Sequence, residues 1–467
     1  MSLDIRYAPW QFMLDIDKIN YALSERVAYC TRHPDDEVIN LSSGINALGP
    51  PLPLVDFALS MARDPLFWHD YDGPDGHLAG RVGVAVYESV HSGGLADLGP
   101  DNVIVTAGAS AAMMLAVRGL RQLCHKQGLP AVALLPLPTF PLAGAALVNA
   151  GFAIVEAGST APGRWLPTVP DLIAQAPGDL GVVYVNTFNN PTGERYEADE
   201  LRELVRWASE HGVFILHDTV SSDVASAGTI PHLATVAAQQ GYAEHVLTVS
   251  SLSKARAIPG FRIGWLIGPE DIVGELARFN ELIAPSSPGI AAPMLLLDRL
   301  IAMSTGPGAR PAGEVVDRVA GCLEPYAAAE PGLITVFESV AKTFEAGEVT
   351  APLVAWRQQL RDVLAENVAI LGSDFADLAG WFPPWRGDFN TFAELLPLRG
   401  RPYLSTCHQL FREFGLQTLP APAFGQDETW WRKRPEYFSR LSFAVPTPIW
   451  TEALSRLRRA AGKLRCR

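Results

Sequence analysis

The sequence predicts an α/β protein: a mostly parallel, seven-stranded sheet sandwiched by helices, plus a smaller α+β C-terminal domain. Three observations carry this expectation. Seven short apolar runs punctuate the middle of the chain, helical patterns separate most of them, and the composition changes after about residue 300. Runs that are aliphatic throughout, without alternation, suit strands buried on both faces. Strands alternating with helices give a parallel sheet covered on both sides.

In chain order the runs are "NVIVTAG" from 102, "AVALLP" from 131, "FAIVEAG" from 152, "GVVYVNT" from 181, "VFILHD" from 213, "VLTVSS" from 246 and "IGWLIG" from 263. A short loop joins the last two, so one antiparallel strand is expected there. Helical patterns include "SAAMMLAVRGLRQLCHKQG" and "ADELRELVRWASEHG", the second ending at Gly212 as a C-cap. Residues 304–314, "STGPGARPAGE", read as a linker or loop. Beyond it come the helical "VAWRQQLRDVLAENVAIL" and the short strands "FNTFAEL" and "RLSFAV". The expected division is an N-terminal segment at 1–50 that joins the small domain, a large domain at 51–303, and a small C-terminal domain at 304–467. The stretch near 304–350 reads as an insertion.

The 467 residues are 48% hydrophobic and 19% charged, enough for a large core. The net charge of −13 argues against nucleic acid as the main partner. The five cysteines, Cys30, Cys124, Cys322, Cys407 and Cys466, form no C-x-x-C pair, which fits free thiols and no zinc site. "MSLDIRYAPWQF" has an early Asp and no apolar core, so no signal peptide is expected, and no run approaches the roughly 18 residues of a membrane span. These features predict a cytoplasmic protein that neither spans a membrane nor binds nucleic acid.

Ligands of such sheets sit at the carboxyl ends of the strands. Those ends carry Gly108-Ala109-Ser110, Pro138-Thr139-Phe140, Asn190-Pro191, Asp218 and Ser251 to Lys254, and they should converge on one site. Within "SSLSKARAIPGFRIGW", Lys254 is either a surface lysine in a turn or, if its pKa is depressed, a Schiff-base nucleophile. Arg262 can clamp a phosphate through two parallel hydrogen bonds, with Ser251 and Ser253 beside it. Gly108, Ala109 and Ser110 open a helix whose amides suit an anion. Asp218 is either an N-cap or the carboxylate that keeps a pyridine nitrogen protonated. Asn190 is a turn residue or a donor to a phenolate oxygen, and Phe140 a core residue or a stacking partner for a flat ring.

"TAGAS", "PLPTFP", "NNPTG", "VFILHD" and "SSLSKARAIPGFRIGW" stand in the order and spacing of fold-type-I pyridoxal-phosphate enzymes. From about Asn40 to Ala444 the chain resembles the class I/II aminotransferases, with "DYDGPDG", "PTFP" and "SLSK…PGFR" closest to the aminocyclopropane-carboxylate-synthase-like branch. The resemblance implies pyridoxal 5'-phosphate as cofactor, with Lys254 as the Schiff-base lysine that also shuttles the α-proton. It implies Asp218 at the pyridine nitrogen, Asn190 at the ring hydroxyl, and Phe140 on the ring. Gly108, Ala109, Ser110, Ser251, Ser253 and Arg262 would hold the phosphate. Tyr71 would reach the phosphate of a neighbouring subunit, which implies a homodimer. Gly44 and Arg440 would serve the substrate, Arg440 by binding its α-carboxylate.

The pattern departs from the family at "DTVSSD", where Ser221 replaces the tyrosine that usually follows the aspartate by three residues. His217, adjacent to Asp218, should point to the opposite face of its strand as a structural residue. The loop "GQDETWWRKRPEYF", with Trp430 and Trp431, is either a packed surface loop or a surface that stacks on a large or anionic substrate. The simplest activity is transamination of an α-amino acid. The alternatives are γ-elimination of S-adenosylmethionine or a similar activated amino acid, with or without C–C bond formation, and oxidation or deamination of an amino acid.

Overall fold

The computed structural model describes residues 5–67, 71–92, 98–224, 230–282, 288–306 and 308–465. Cys466 lies outside them.

Each of the seven apolar runs is a strand of one sheet. In chain order, after the short β1 (Ile39–Asn40), these are β2 (Val103–Ala107), β3 (Val132–Pro136), β4 (Ala153–Ala157), β5 (Val182–Asn186), β6 (Phe214–Asp218), β7 (Val246–Ser251) and β8 (Ile263–Ile267). Their spatial order is β2-β8-β7-β6-β5-β3-β4. Strand β8 runs antiparallel to both of its neighbours, and the other pairs are parallel. The loop between β7 and β8 is too short for a crossover, which needs a dozen or more residues. That is why β8 is the reversed strand.

Every residue of β5, β6, β7 and β8 is buried, as a sheet covered on both faces requires. One layer includes the helix Ala109–Lys126, whose Ala112, Leu115, Ala116 and Leu120 pack with Ile104, Leu216, Val249 and Leu266. On the other face, Leu201, Leu204 and Val205 of the helix Ala198–His211 pack with Val183, Val185 and Ile215. That helix ends at Gly212 in the left-handed conformation.

The C-terminal unit holds a three-stranded sheet of β9 (Asn390–Glu394), β11 (Leu419–Pro420) and β12 (Phe438–Ser442), in the order β11-β12-β9 and antiparallel throughout. Near it β10 (Leu416–Gln417) pairs in parallel with β1. Ile16, Ile39 and Leu41 share a core with Phe392, Leu441 and Trp450.

The segment near 304–350, expected in the small domain, packs elsewhere. It forms the helices Ala312–Leu323 and Pro331–Ala346. Val315, Val319, Leu333 and Val336 bury against Val82, Leu295 and Trp265 of the large unit. The described residues 308–311 of this Gly/Pro-rich stretch lead into the first of these helices. The amphipathic helices that follow need an apolar partner, and the helix Ala291–Ser304, buried along most of its length, supplies it.

Candidate active site

The strand ends meet at one cavity of about 270 Å³, lined by Ala109, Ser110, Phe140, Asn190, Asp218, Ser251, Ser253, Lys254 and Arg262 from the large unit, and by Gly44 and Arg440 from the other side. Ser221 also lines it. Gly108 stands just behind this wall with φ +85, beside Arg262. Tyr71 is 79% exposed and lies outside the cavity of its own chain.

Lys254 lies in a single helical turn, Leu252–Ala255, capped by Ser251, whose hydroxyl accepts from the Ser253 amide at 3.3 Å. Two residues on, the fully buried Arg256 donates to Asp298 (2.5 Å) and Asp223 (2.8 Å), fixing the turn from behind. The Lys254 Nζ donates to the Gly44 carbonyl at 2.6 Å. Burial pulls its pKa down to about 8, helped by the Arg440 and Arg262 charges and opposed by Asp388. The ammonium therefore gives up its proton far more readily than a surface lysine.

Asp218 closes β6 at the cavity floor. Its carboxylate accepts from the Tyr184 hydroxyl (3.0 Å) and the Val220 amide (3.0 Å), yet burial outweighs these donors and lifts its pKa to about 6. A cation placed against it would be strongly favoured. His217 points to the other face. It is buried, and its Nε2 lies 3.2 Å from the Thr187 hydroxyl. Desolvation lowers its pKa to about 3, so it stays neutral.

At the carboxyl end of β2, Arg262 donates to the carbonyls of Ala107 and Pro259, each at 3.1 Å. A Cβ on Gly108 would lie 2.5 Å from its Nη2, so only glycine lets the guanidinium approach the helix start. The first amides of the helix Ala109–Lys126 have no intrahelical acceptor. Together with Ser110, Ser251 and Ser253 they form a pocket suited to a dianion.

Arg440 sits opposite, on β12. It is buried and donates to Asn190 Oδ1 (2.9 Å) and to the Ser42 carbonyl, while its Nε has no partner. Its guanidinium also rests 5.2 Å from the Phe424 ring centre. Burial lowers its pKa to about 10. A buried guanidinium with an unused donor, facing a cavity, is built to take a carboxylate.

Four polar residues here were not picked out from the sequence. Asn186 accepts from the Asn190 amide (2.7 Å) and donates to the Asp218 carbonyl (3.1 Å), joining two strand ends. Tyr184 holds Asp218. Asp17, on the helix Ala8–Asn20, lines the cavity with Met13 and Tyr21. Asp388 is fully buried, with Oδ1 lacking any partner. From it a chain of contacts leads inward: Asn390 Nδ2 to Asp388 (3.4 Å), Ser442 hydroxyl to Asn390 Oδ1 (2.7 Å), Gly44 amide to the Ser442 hydroxyl (3.1 Å), and Lys254 to the Gly44 carbonyl. Burial raises the Asp388 pKa to about 7. The available signal was "WRGDFN", a lone acid entering an apolar strand, the same placement as Asp218 after "VFILH". Trp430 and Trp431 do not line this cavity.

Known proteins share this fold. The chain superimposes on an aminotransferase from Mycobacterium tuberculosis with a TM-score of 0.71 and 21% identity, covering 100% of this chain and 99% of that one. With the aspartate aminotransferase of Thermotoga maritima the values are 0.68 and 19%, over 97% and 99% of the two chains. In sequence it is 25% identical to the aspartate aminotransferase of Musicola paradisiaca over 244 residues, 52% of this chain. That match spans 58% of the relative's own length, and the chain spans about half the length of the first curated relatives it matches. The family model for aminotransferase class I and II matches residues 36–299. The chain belongs to the class I and II aminotransferase family.

Proposed function

We propose that the protein is a pyridoxal-phosphate-dependent aminotransferase acting on an α-amino acid. The observation that carries this reading is the meeting of Lys254, Asp218 and Arg440 on one cavity, with a dianion pocket at its edge. When bound, the cofactor supplies an electron sink that acidifies the α-proton of an amino acid. The residues present fit it. Ala109, Ser110, Ser251, Ser253 and Arg262 would hold the phosphate, and Asp218 the protonated pyridine nitrogen. Asn190 Oδ1 already accepts from Arg440, so its amide N–H groups would face the ring hydroxyl. Phe140 would cover one ring face.

Arg440 binds the substrate α-carboxylate and so fixes the orientation of the α-carbon. Lys254, as a neutral amine, takes the α-proton and returns it elsewhere. Asp218 would keep a proton on a pyridine nitrogen held opposite it. Asp17 has no hydrogen-bond or ion-pair partner for its carboxylate among the described residues and shares the cavity with Arg440. It favours a substrate whose side chain carries a positive charge. Tyr71, exposed on its own chain, would complete a second subunit's site in a homodimer. A catalytically competent monomer in sedimentation would sink that part.

The deciding experiment titrates purified, cofactor-loaded protein with the common amino acids and then with 2-oxo acids. A donor should shift the visible absorbance and a 2-oxo acid should restore it. Thioether release from S-adenosylmethionine without any oxo acid would instead establish γ-elimination, and oxygen consumption would establish oxidation. Absence of all three responses would overturn the assignment as an amino-acid enzyme.

A further inference from the structure

A second cavity of about 290 Å³ opens between the two units of the fold, as large as the catalytic one and separate from it. Four indoles line it: Trp165 and Trp381, with Trp430 and Trp431 on the short helix Glu428–Arg432. Their arrangement is fixed from behind. Trp165 packs edge-on against Phe392 and Phe438, at 5.1 and 4.7 Å between ring centres. Trp431 donates its indole N–H to the Gly425 carbonyl at 2.8 Å and meets Trp430 at 82°. These rings hold their places without a ligand, which lowers the ordering cost of binding one.

Two polar features in this wall lack partners. The Trp165 indole N–H is buried with no acceptor, although buried tryptophan donors are normally paired. Arg434 lies over Trp430, 4.3 Å from its ring centre, and has no ion pair among the described residues. The other arginine of the lining, Arg164, is already neutralised by Glu200 at 2.7 Å. The cavity thus offers apolar faces for a flat ring and one cation awaiting a counter-charge. A concave, aromatic-lined space with a few convergent polar groups is the usual form of a small-molecule site.

We propose that this cavity binds a flat aromatic carboxylate, its ring against the tryptophan faces and its carboxylate on Arg434. The site is adjacent to the catalytic cavity without overlapping it. Phe424 forms part of its wall and carries Arg440 on its ring, and Pro138 lies two residues before Phe140. The Thr139 amide donates to the Phe424 carbonyl at 2.7 Å, tying these two wall segments together. An occupant therefore touches residues from both units.

The test is calorimetric titration of the cofactor-loaded, full-length protein with 2-naphthoate, beside 2-naphthamide as the uncharged control. Because Arg440 would also donate to a carboxylate, two classes of site are expected in the unaltered protein. Arg434→Gln should weaken one class at least tenfold, and Trp430→Ala should do the same, each leaving kcat and KM for the amino-acid donor unchanged. The amide should bind this class at least tenfold more weakly than the acid. Arg434 is exposed and outside any ion pair, so its substitution tests the site even if Trp430→Ala fails to fold. An isotherm unaltered by Arg434→Gln would overturn the proposal, as would a single class displaced entirely by the amino-acid donor. The readout is heat, so failure of the transaminase reading and failure of this one remain distinguishable.

Discussion

The side-chain nitrogen of Lys254 lies 2.6 Å from the carbonyl oxygen of Gly44, 210 residues upstream. The same glycine presses its α-carbon toward Arg440: a Cβ there would lie 3.2 Å from Nη2, and its φ of +51 is one that other residues rarely adopt. Gly44 therefore sets the spacing between the lysine and the arginine. Gly44→Ala should lower kcat/KM by about tenfold or more, since strain of this kind costs roughly 1–3 kcal/mol. Steady-state kinetics on a folded variant would check this.

The depressed pKa of Lys254 makes a prediction about cofactor capture. Only the neutral amine can attack an aldehyde. Uptake of pyridoxal phosphate by cofactor-free protein should accelerate with pH and level off above about 8, well below the ordinary lysine value of roughly 10.4. Stopped-flow absorbance across pH 6 to 10 measures it. Lys254→Ala should abolish turnover altogether.

Arg440→Gln removes a charged partner for the substrate carboxylate. Hydrogen bonds to charged groups contribute about 1.5–3 kcal/mol, so KM for the amino-acid donor should rise by roughly 10- to 100-fold. The fall in kcat should be smaller. Equal losses in both parameters would place Arg440 in the chemistry instead.

Asp388 has a folded-state pKa of about 7, above its unfolded value. Between roughly pH 4 and 7 the folded protein holds more protons than the unfolded one. Stability must therefore decline as pH rises through that window and stay reduced above it. Asp388→Asn should flatten this slope and raise the melting temperature at pH 8, with a gain on the order of 1–4 kcal/mol at about 1.4 kcal/mol per pKa unit. Because Asp388 opposes the depression of Lys254, the variant should also shift the capture inflection to lower pH. Melting curves at pH 5 and 8 separate the two effects.

Asp17→Asn should cost most for donors with basic side chains. The ratio of kcat/KM for arginine or lysine to that for an uncharged donor should fall several-fold. An unchanged ratio would remove Asp17 from substrate selection.

Much of this arrangement is legible in the sequence. The seven strands stand out because strands buried on both faces must be apolar at every position, leaving contiguous runs. The strand ends follow from sheet geometry, and so does their joint lining of one cavity. What could not be read depends on partners far apart in the chain. Asp388 and Asp17 look like ordinary caps or surface acids until the contacts across the cavity are seen. Arg440 meets the Ser42 carbonyl across 398 residues, a distance no local pattern encodes. The helices of 312–346 were misplaced for a related reason: their apolar faces are evident, but an amphipathic face does not say which neighbour it covers.

Segments from the two ends of the sequence are knitted together near Lys254. Ile39 and Asn40 pair with Leu416 and Gln417, and Asn20 donates to the Thr418 carbonyl. A ribosome making this chain therefore releases the entire large sheet, Lys254 included, long before Gly44 acquires Ser442 and Arg440 as neighbours. The nascent protein carries this amine without the roof that tunes it, and that tuning arrives only once residues 440 and 442 have emerged.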